Sequence, residues 1–214
     1  MMKKNLYIAA LMTAFACTPA EQGDQDYYVL HDDFYYTGSS DVPHVFLKPI
    51  SDEHYVVFDS TYLEEVFDSL NKMGFSIISG PQETYYNSVN DDFFVPDYMK
   101  KCMSVHIKGT GEISNIPHVV YSNNLYLNHV GSVEGASNTL NVYLGEYNDD
   151  SRYSSVFKFA ENLNLVPYDY WPELRVMFIA CTNASCGNPV EIANWFCEEA
   201  GYLASPNWGS GNWN

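Results

Sequence analysis

The 214-residue sequence predicts an α+β fold: antiparallel sheets with helices packed on one face. Three observations predict it. Apolar stripes at helical spacing recur three times, and between them lie short runs that alternate or stay continuously apolar, the marks of strands. From Thr139 on, the elements read strand, helix, strand, strand, helix, strand, the split β-α-β order of a ferredoxin-like unit. A fainter copy begins at His54, so one or two ferredoxin-like halves are expected, joined near residues 131–137.

The chain opens on an export signal. Lys3 and Lys4 precede an apolar run over residues 6–15 that is too short to span a bilayer. Ala14 and Ala16 place small residues shortly before Cys17. Residues 1–16 therefore read as a lipoprotein signal peptide, cleaved before Cys17, whose sulfur takes the lipid. Leu is more usual at position 14, and ordinary secretion with an incidental Cys17 is the alternative. Residues 17–26 are polar and acidic and read as a tether. The expected location is the outer membrane or cell surface, on the periplasmic or extracellular face, with the lipid as the only membrane contact.

A strand at residues 55–58 leads into the first helix. Thr61 reads as its N-cap and Glu64 as the returning partner of a capping box. Leu63, Val66, Phe67, Leu70 and Met73 form the inward stripe, and Gly74 ends it. A strand follows at residues 75–78. Residues 119–130 read as a hairpin turning at Asn123 and Asn124. Leu140, Val142 and Leu144 alternate with Thr139, Asn141 and Tyr143, which predicts a half-buried strand. The second helix starts near Ser154, with Val156, Phe159, Ala160 and Leu163 inward. Residues 175–180 are the most continuous apolar run and are expected at the centre of a sheet. The third helix has Asn188 as N-cap, Pro189 at its first position and Glu191 in its first turn. Ile192, Ala193, Phe196, Cys197 and Ala200 face inward, and Gly201 stops it. The expected divisions are an N-terminal α/β half over 27–135, a ferredoxin-like half over 136–208 and a tail over 209–214.

The net charge of −17 argues against nucleic acid or anionic headgroups as partners and favours a cationic one. Eighteen tyrosines suit a soluble secreted surface, with tyrosines as contact residues the alternative. Four cysteines besides Cys17 lie in an oxidising compartment. Cys181 and Cys186 flank a short turn and could close a small disulfide loop. Cys197 reads as a buried free thiol, and the cysteine spacing is not that of a zinc site. His118 and His129 would face each other across the expected hairpin as exposed strand residues. Asp32-Asp33, Asp91-Asp92 and Asp149-Asp150 read as solvated turns. Asp59-Ser60-Thr61 fits a short O-glycosylation pattern with Ser60 as acceptor; Ser69 has the same setting but lies within a helix. No serine-nucleophile elbow or paired-histidine zinc motif occurs, so no catalysis, cofactor or metal is expected.

One block carries a resemblance. Asn188-Pro189-Val190-Glu191-Ile192-Ala193-Asn194-Trp195-Phe196, then Gly201-Tyr202-Leu203-Ala204-Ser205-Pro206-Asn207-Trp208, resembles the end of the N-terminal prodomain of secreted subtilisin-like serine proteases of Bacteroides-type bacteria. The likeness continues in order through Asp33-Phe34-Tyr35-Tyr36-Thr37-Gly38, Tyr55-Val56-Val57-Phe58-Asp59 and Val176-Met177-Phe178-Ile179-Ala180-Cys181-Thr182, and covers residues 27–208. Cys102, Cys186 and Cys197 are additional to the family's pattern, and no catalytic part follows the tail. The resemblance implies a propeptide-inhibitor-like, stand-alone protein that inhibits or chaperones a subtilisin-like protease in trans. In such prodomains a four-stranded sheet face packs on the protease, and the extended C-terminal segment lies in its cleft as a strand. Tyr202, Leu203, Trp208 and Trp213 are the implied contacts, with Tyr202 and Leu203 as last-strand core the alternative. The other functional expectation is a surface module that binds a glycan or another envelope protein, with Trp195 or Trp208 as a stacking surface.

Overall fold

The computed structural model describes residues 29–37, 44–86, 93–145 and 150–208. The signal peptide, the tether, the tail, Cys17, Trp213 and the Asp91-Asp92 doublet lie outside the described residues. The first sheet holds β1 (Phe34–Tyr36), β2 (His44–Asp59), β3 (Ser76–Thr84), β4 (Cys102–Lys108), β5 (Val119–Asn128) and β6 (Val133–Glu134), with α1 (Leu63–Lys72) between β2 and β3. The second holds β7 (Ala136–Tyr143), β8 (Val166–Trp171), β9 (Val176–Ala180) and β10 (Leu203–Trp208), with α2 (Asp150–Asn162) and α3 (Pro189–Glu198).

Strands run β3-β4-β2-β5-β6 in the first sheet, with β1 beside β2, and β10-β7-β9-β8 in the second. Every pair is antiparallel. In the second sheet α2 carries the chain from β7 to β8 and α3 from β9 to β10, so each crossover skips one strand. The first sheet repeats this order. There α1 joins β2 to β3, β4 returns between them, and β5 pairs on the far side of β2. A helix is missing from its second crossover, residues 109–118. Ile113 and Ile116 of that loop fill the space a helix would take, against Val56, Phe58, Val105 and Ile107.

Helix α1 buries Val66 and Leu70 on that same face. In the second sheet Leu140, Val142, Met177 and Ile179 meet Val156, Ala160, Ile192, Ala193 and Phe196. This cluster continues into Tyr55, Val57, Tyr121 and Leu125 on the other face of the first sheet. The first sheet is thus covered on both faces. Helix α3 lies inside the molecule, with seven of its ten residues buried. Asn194 on it donates to the carbonyls of His31 and Phe34 at 3.1 and 2.8 Å, which ties the N-terminal segment down. Burial of each large apolar side chain contributes about 1.5–3 kcal/mol.

Several local expectations are corrected. Strand β5 runs straight through Asn123 and Asn124, which pair with Tyr55 and His54 of β2. Without a glycine the Asn-Asn pair is a poor two-residue turn. The reversal comes instead after Asn128, whose Oδ1 accepts from the amides of Val130 and Ser132, and Gly131 takes a φ of +82°. His118 and His129 therefore stand at opposite ends of one strand. Thr61 is not an N-cap: Asp59 accepts from its amide at 2.9 Å and winds residues 60–62 into a 3-10 turn, and α1 starts after it without a side-chain cap. Helix α2 begins at Asp150, four residues before the expected start. The third helix matches its expectation: Asn188 Oδ1 accepts from the amides of Val190 and Glu191, and Glu191 accepts from the Asn188 amide at 2.7 Å.

Cysteine pairing also differs. Cys181 is a free buried thiol, as are Cys102 and Cys197. Cys186 is disulfide-bonded, and Cys181 is not its partner. The reason is local. Cys181 continues the inward side of β9, and its carbonyl accepts from Asn138. The turn beyond it, closed by Ser185 on the Thr182 amide, carries Cys186 away to the end of α2, where its amide donates to the Leu163 carbonyl.

Candidate functional site: the open face of the second sheet

Alternation splits the second sheet into two unlike faces. Ala204, Val142, Met177 and Tyr170 form a cross-strand row on the helix side, and Pro206, Leu140, Ile179 and Pro167 form the next. Among the described residues the other face carries no helix. Its first row is Leu203, Tyr143, Val176 and Trp171, and its second is Ser205, Asn141, Phe178 and Asp169. Trp171 is 47% exposed and Leu203 37%. Leu174, in the turn between β8 and β9, extends the apolar edge at 62% exposure.

Side chains organise this face. Trp171 packs edge-on against Phe178 with ring centroids 5.0 Å apart, and Tyr168 lies 6.1 Å from the same ring. Asn141 and Asn207 exchange amide hydrogen bonds at 2.8 and 3.1 Å, and Asn207 also donates to Thr139 Oγ1 at 2.9 Å. Ser137 lies 2.9 Å from that hydroxyl. This ladder pins β10 to β7 and leaves a polar half beside an aromatic half. Such a mixture suits a wet, specific protein contact. Asp169 is the one formal charge in the two rows. Its Oδ2 accepts from Trp171 Nε1 at 3.2 Å, and its Oδ1 is buried with no hydrogen-bond partner. Burial, with the Asp169 carboxylate adding to it against the Thr139 hydrogen bond, pushes the Tyr168 phenol up to about 12.

Of the four residues that the resemblance implied, the structure describes three and separates them. Leu203 lies in the first open row. Tyr202 is 6% exposed, its ring edge-on to Phe159 and Phe196, with the Arg152 guanidinium 4.5 Å above it. It is core, the alternative reading. Trp208 packs on Tyr35 and Tyr126, with centroids 4.7 and 6.5 Å away, and braces β10 against the first sheet. Trp213 is outside the described residues, as is Cys17. Trp195 is half-buried between Phe159 and Phe196. Ser60 is half-buried in the 3-10 turn, its amide bonded to the Lys101 carbonyl. Trp171, Phe178 and Tyr143 escaped the sequence reading. Tyr143 shares the parity of Asn141, which marked it as outward. Trp171 and Phe178 needed the cross-strand register.

A second feature lies where the two sheets meet. A cavity of about 290 Å³ is lined by Asp59, Tyr98, His118, Thr182 and Asn183, among others. His118 holds a left-handed φ of +67°, a conformation that non-glycine residues adopt rarely. Its ring stacks on Tyr62 at 3.5 Å, with Glu65 3.7 Å from Nε2. Among the described residues no group of three or more His, Cys, Asp or Glu is placed to hold a metal ion, and no helix is long and apolar enough to cross a membrane. Compared with known proteins, the chain matches no family model, no curated protein and no solved structure.

Proposed function

We propose that this is a cell-envelope lipoprotein that binds another protein through the open face of its second sheet and performs no chemistry itself. The partner is a subtilisin-like protease, inhibited or helped to fold in trans. The single observation that carries the reading is the helix-free face with its exposed Trp171, Leu203 and Leu174. One further fact supports it. The order β10-β7-β9-β8 with paired skipping crossovers is what a ferredoxin-like, propeptide-inhibitor-like half requires, and the first sheet has the same strand order.

The test is direct. Purified protein is titrated into secreted subtilases from the source organism and into a general subtilisin, with peptide hydrolysis and complex size both followed. Saturable slowing of at least one, with a one-to-one complex, is expected. Full activity of all of them and no complex would remove the protease as partner.

A second reading, a glycan-binding module, has its own observation. Tyr62 and Tyr98 are 39% and 48% exposed beside the cavity at His118, and Asp59 and Asn183 add polar groups there. An aromatic surface edged by carboxylate and amide fits a sugar ring. Trp195 and Trp208, the expected stacking surface, are packed instead. Binding on a glycan array that Tyr98→Ala abolishes would establish this reading, and an array without hits would discard it.

A further inference from the structure

We infer that Asp169 and Trp171 form an anchor for an arginine side chain of the protein partner; this rests on the open face being the docking face. Asp169 is 94% buried, since only 6% of it is exposed, yet its Oδ1 meets no donor. Leaving a buried carboxylate oxygen unpaired is unfavourable, and such an atom calls for an explanation. The described residues do not supply the missing donor. The neighbours in the open rows, Phe178, Asn141, Val176 and Tyr143, include no cation. Arg175, in the turn before β9, makes no ion pair among the described residues, and its own Nη1 is buried without a partner.

Among the described residues the only donor on Asp169 is the Trp171 indole, through one hydrogen bond of 3.2 Å to Oδ2. The Trp171 side chain that holds the carboxylate is itself nearly half exposed. Swinging it aside gives up that one hydrogen bond from an uncharged donor. An arriving guanidinium replaces it with two charge-assisted ones, to Oδ1 and Oδ2. The displaced indole then lies against the guanidinium plane, where a cation is attracted to the ring face. Arginine fits better than lysine because its planar fork matches a carboxylate while its flat face stacks. The chain's charge of −17 draws a basic partner in from a distance.

The experiment titrates the protein with N-acetyl-L-arginine amide and, as the neutral isostere, N-acetyl-L-citrulline amide, following the Trp171 indole N–H by NMR. Saturable movement of that resonance with the arginine probe, at least tenfold weaker with citrulline, is expected. Asp169→Asn should weaken the arginine probe at least tenfold, and Trp171→Phe, followed through the Asp169 amide, should weaken it less. An unmoved Trp171 resonance, equal response to both probes, or an undiminished response in Asp169→Asn would overturn the anchor. The outcome is separate from protease inhibition. A protease slowed by a protein that ignores arginine leaves the docking face standing without its anchor, whereas arginine binding without slowing of any protease keeps the anchor and removes the protease.

Discussion

Glu191 does two jobs that pull its carboxyl in opposite directions. It closes the capping box of α3, and it is half-buried close to Asp32. Burial raises its pKa above the ordinary 4.5, Asp32 adds to the rise, and the Asn188 amide opposes it. A raised folded value means that its contribution is fully present below about pH 4.5 and is lost as pH rises through the folded value. Glu191→Gln keeps an acceptor for the Asn188 amide. It should flatten the stability–pH curve above pH 4.5 and unfold in urea at the same or a higher midpoint at pH 7. A clear loss of stability at pH 7 with the slope unchanged would contradict this. The caps give a second contrast. Asn188→Ala should lose about 1 kcal/mol, because its side-chain oxygen accepts from the amides of Val190 and Glu191, and Thr61→Ala should stay within about 0.5 kcal/mol, because Asp59 rather than Thr61 does the capping. Both are readable by thermal unfolding. The first cap was legible because Asn, Pro and Glu occupy fixed offsets. The second was not, because Asp59 and Thr61 both fit and only the backbone path chooses between them.

At the scale of elements, the two faces of the second sheet should respond differently. Leu140 is fully buried, and Leu140→Ala should remove about 2–5 kcal/mol through the cavity it leaves. Trp171→Ala, on the open face, should change urea stability far less while weakening partner binding. Equal losses of stability at both sites would mean that the face is core. The alternation of residues 139–144 made β7 legible, and the apolar run at 175–180 made β9 legible as a central strand. Strand β5 was misread because Asn123 and Asn124 interrupt its pattern. Their hydrogen-bonding needs are met by pairing with β2 and by Asn123 donating to the Tyr126 hydroxyl at 3.0 Å. The docking face was only half legible. Leu203 came from the resemblance, but its row mates Tyr143, Val176 and Trp171 lie on three other strands, and no local pattern reports a register.

For the whole molecule, the shared core binds two sheets with one strand order. The order of strands and helices in the second sheet was legible in the sequence. For the first sheet only β2, α1 and β3 were, because the later crossover there is a loop with two isoleucines. The cysteines bear on how the molecule is held in the envelope. Cys102, Cys181 and Cys197 are buried, and burial with nearby carboxylates raises all three thiols, so none should react with iodoacetamide until the protein is denatured. Cys17 is the fifth cysteine of the sequence, and one sulfur cannot carry a lipid and also bridge to Cys186. The lipid anchor therefore requires a free Cys186: denatured but unreduced protein should take up four labels, and palmitate incorporation should be abolished by Cys17→Ser. Three labels, with a fourth gained in Cys17→Ser, would mean that the anchor is wrong.

The open face of the second sheet is the element on which the function rests, and hydrogen exchange of the protein with and without a bound subtilase tests it most directly. Slower exchange is expected in β8, β9 and β10 at the rows of Trp171 and Phe178, with α2 unchanged. Protection confined to α2 or to the first sheet, or no change in any strand of the second, would contradict it.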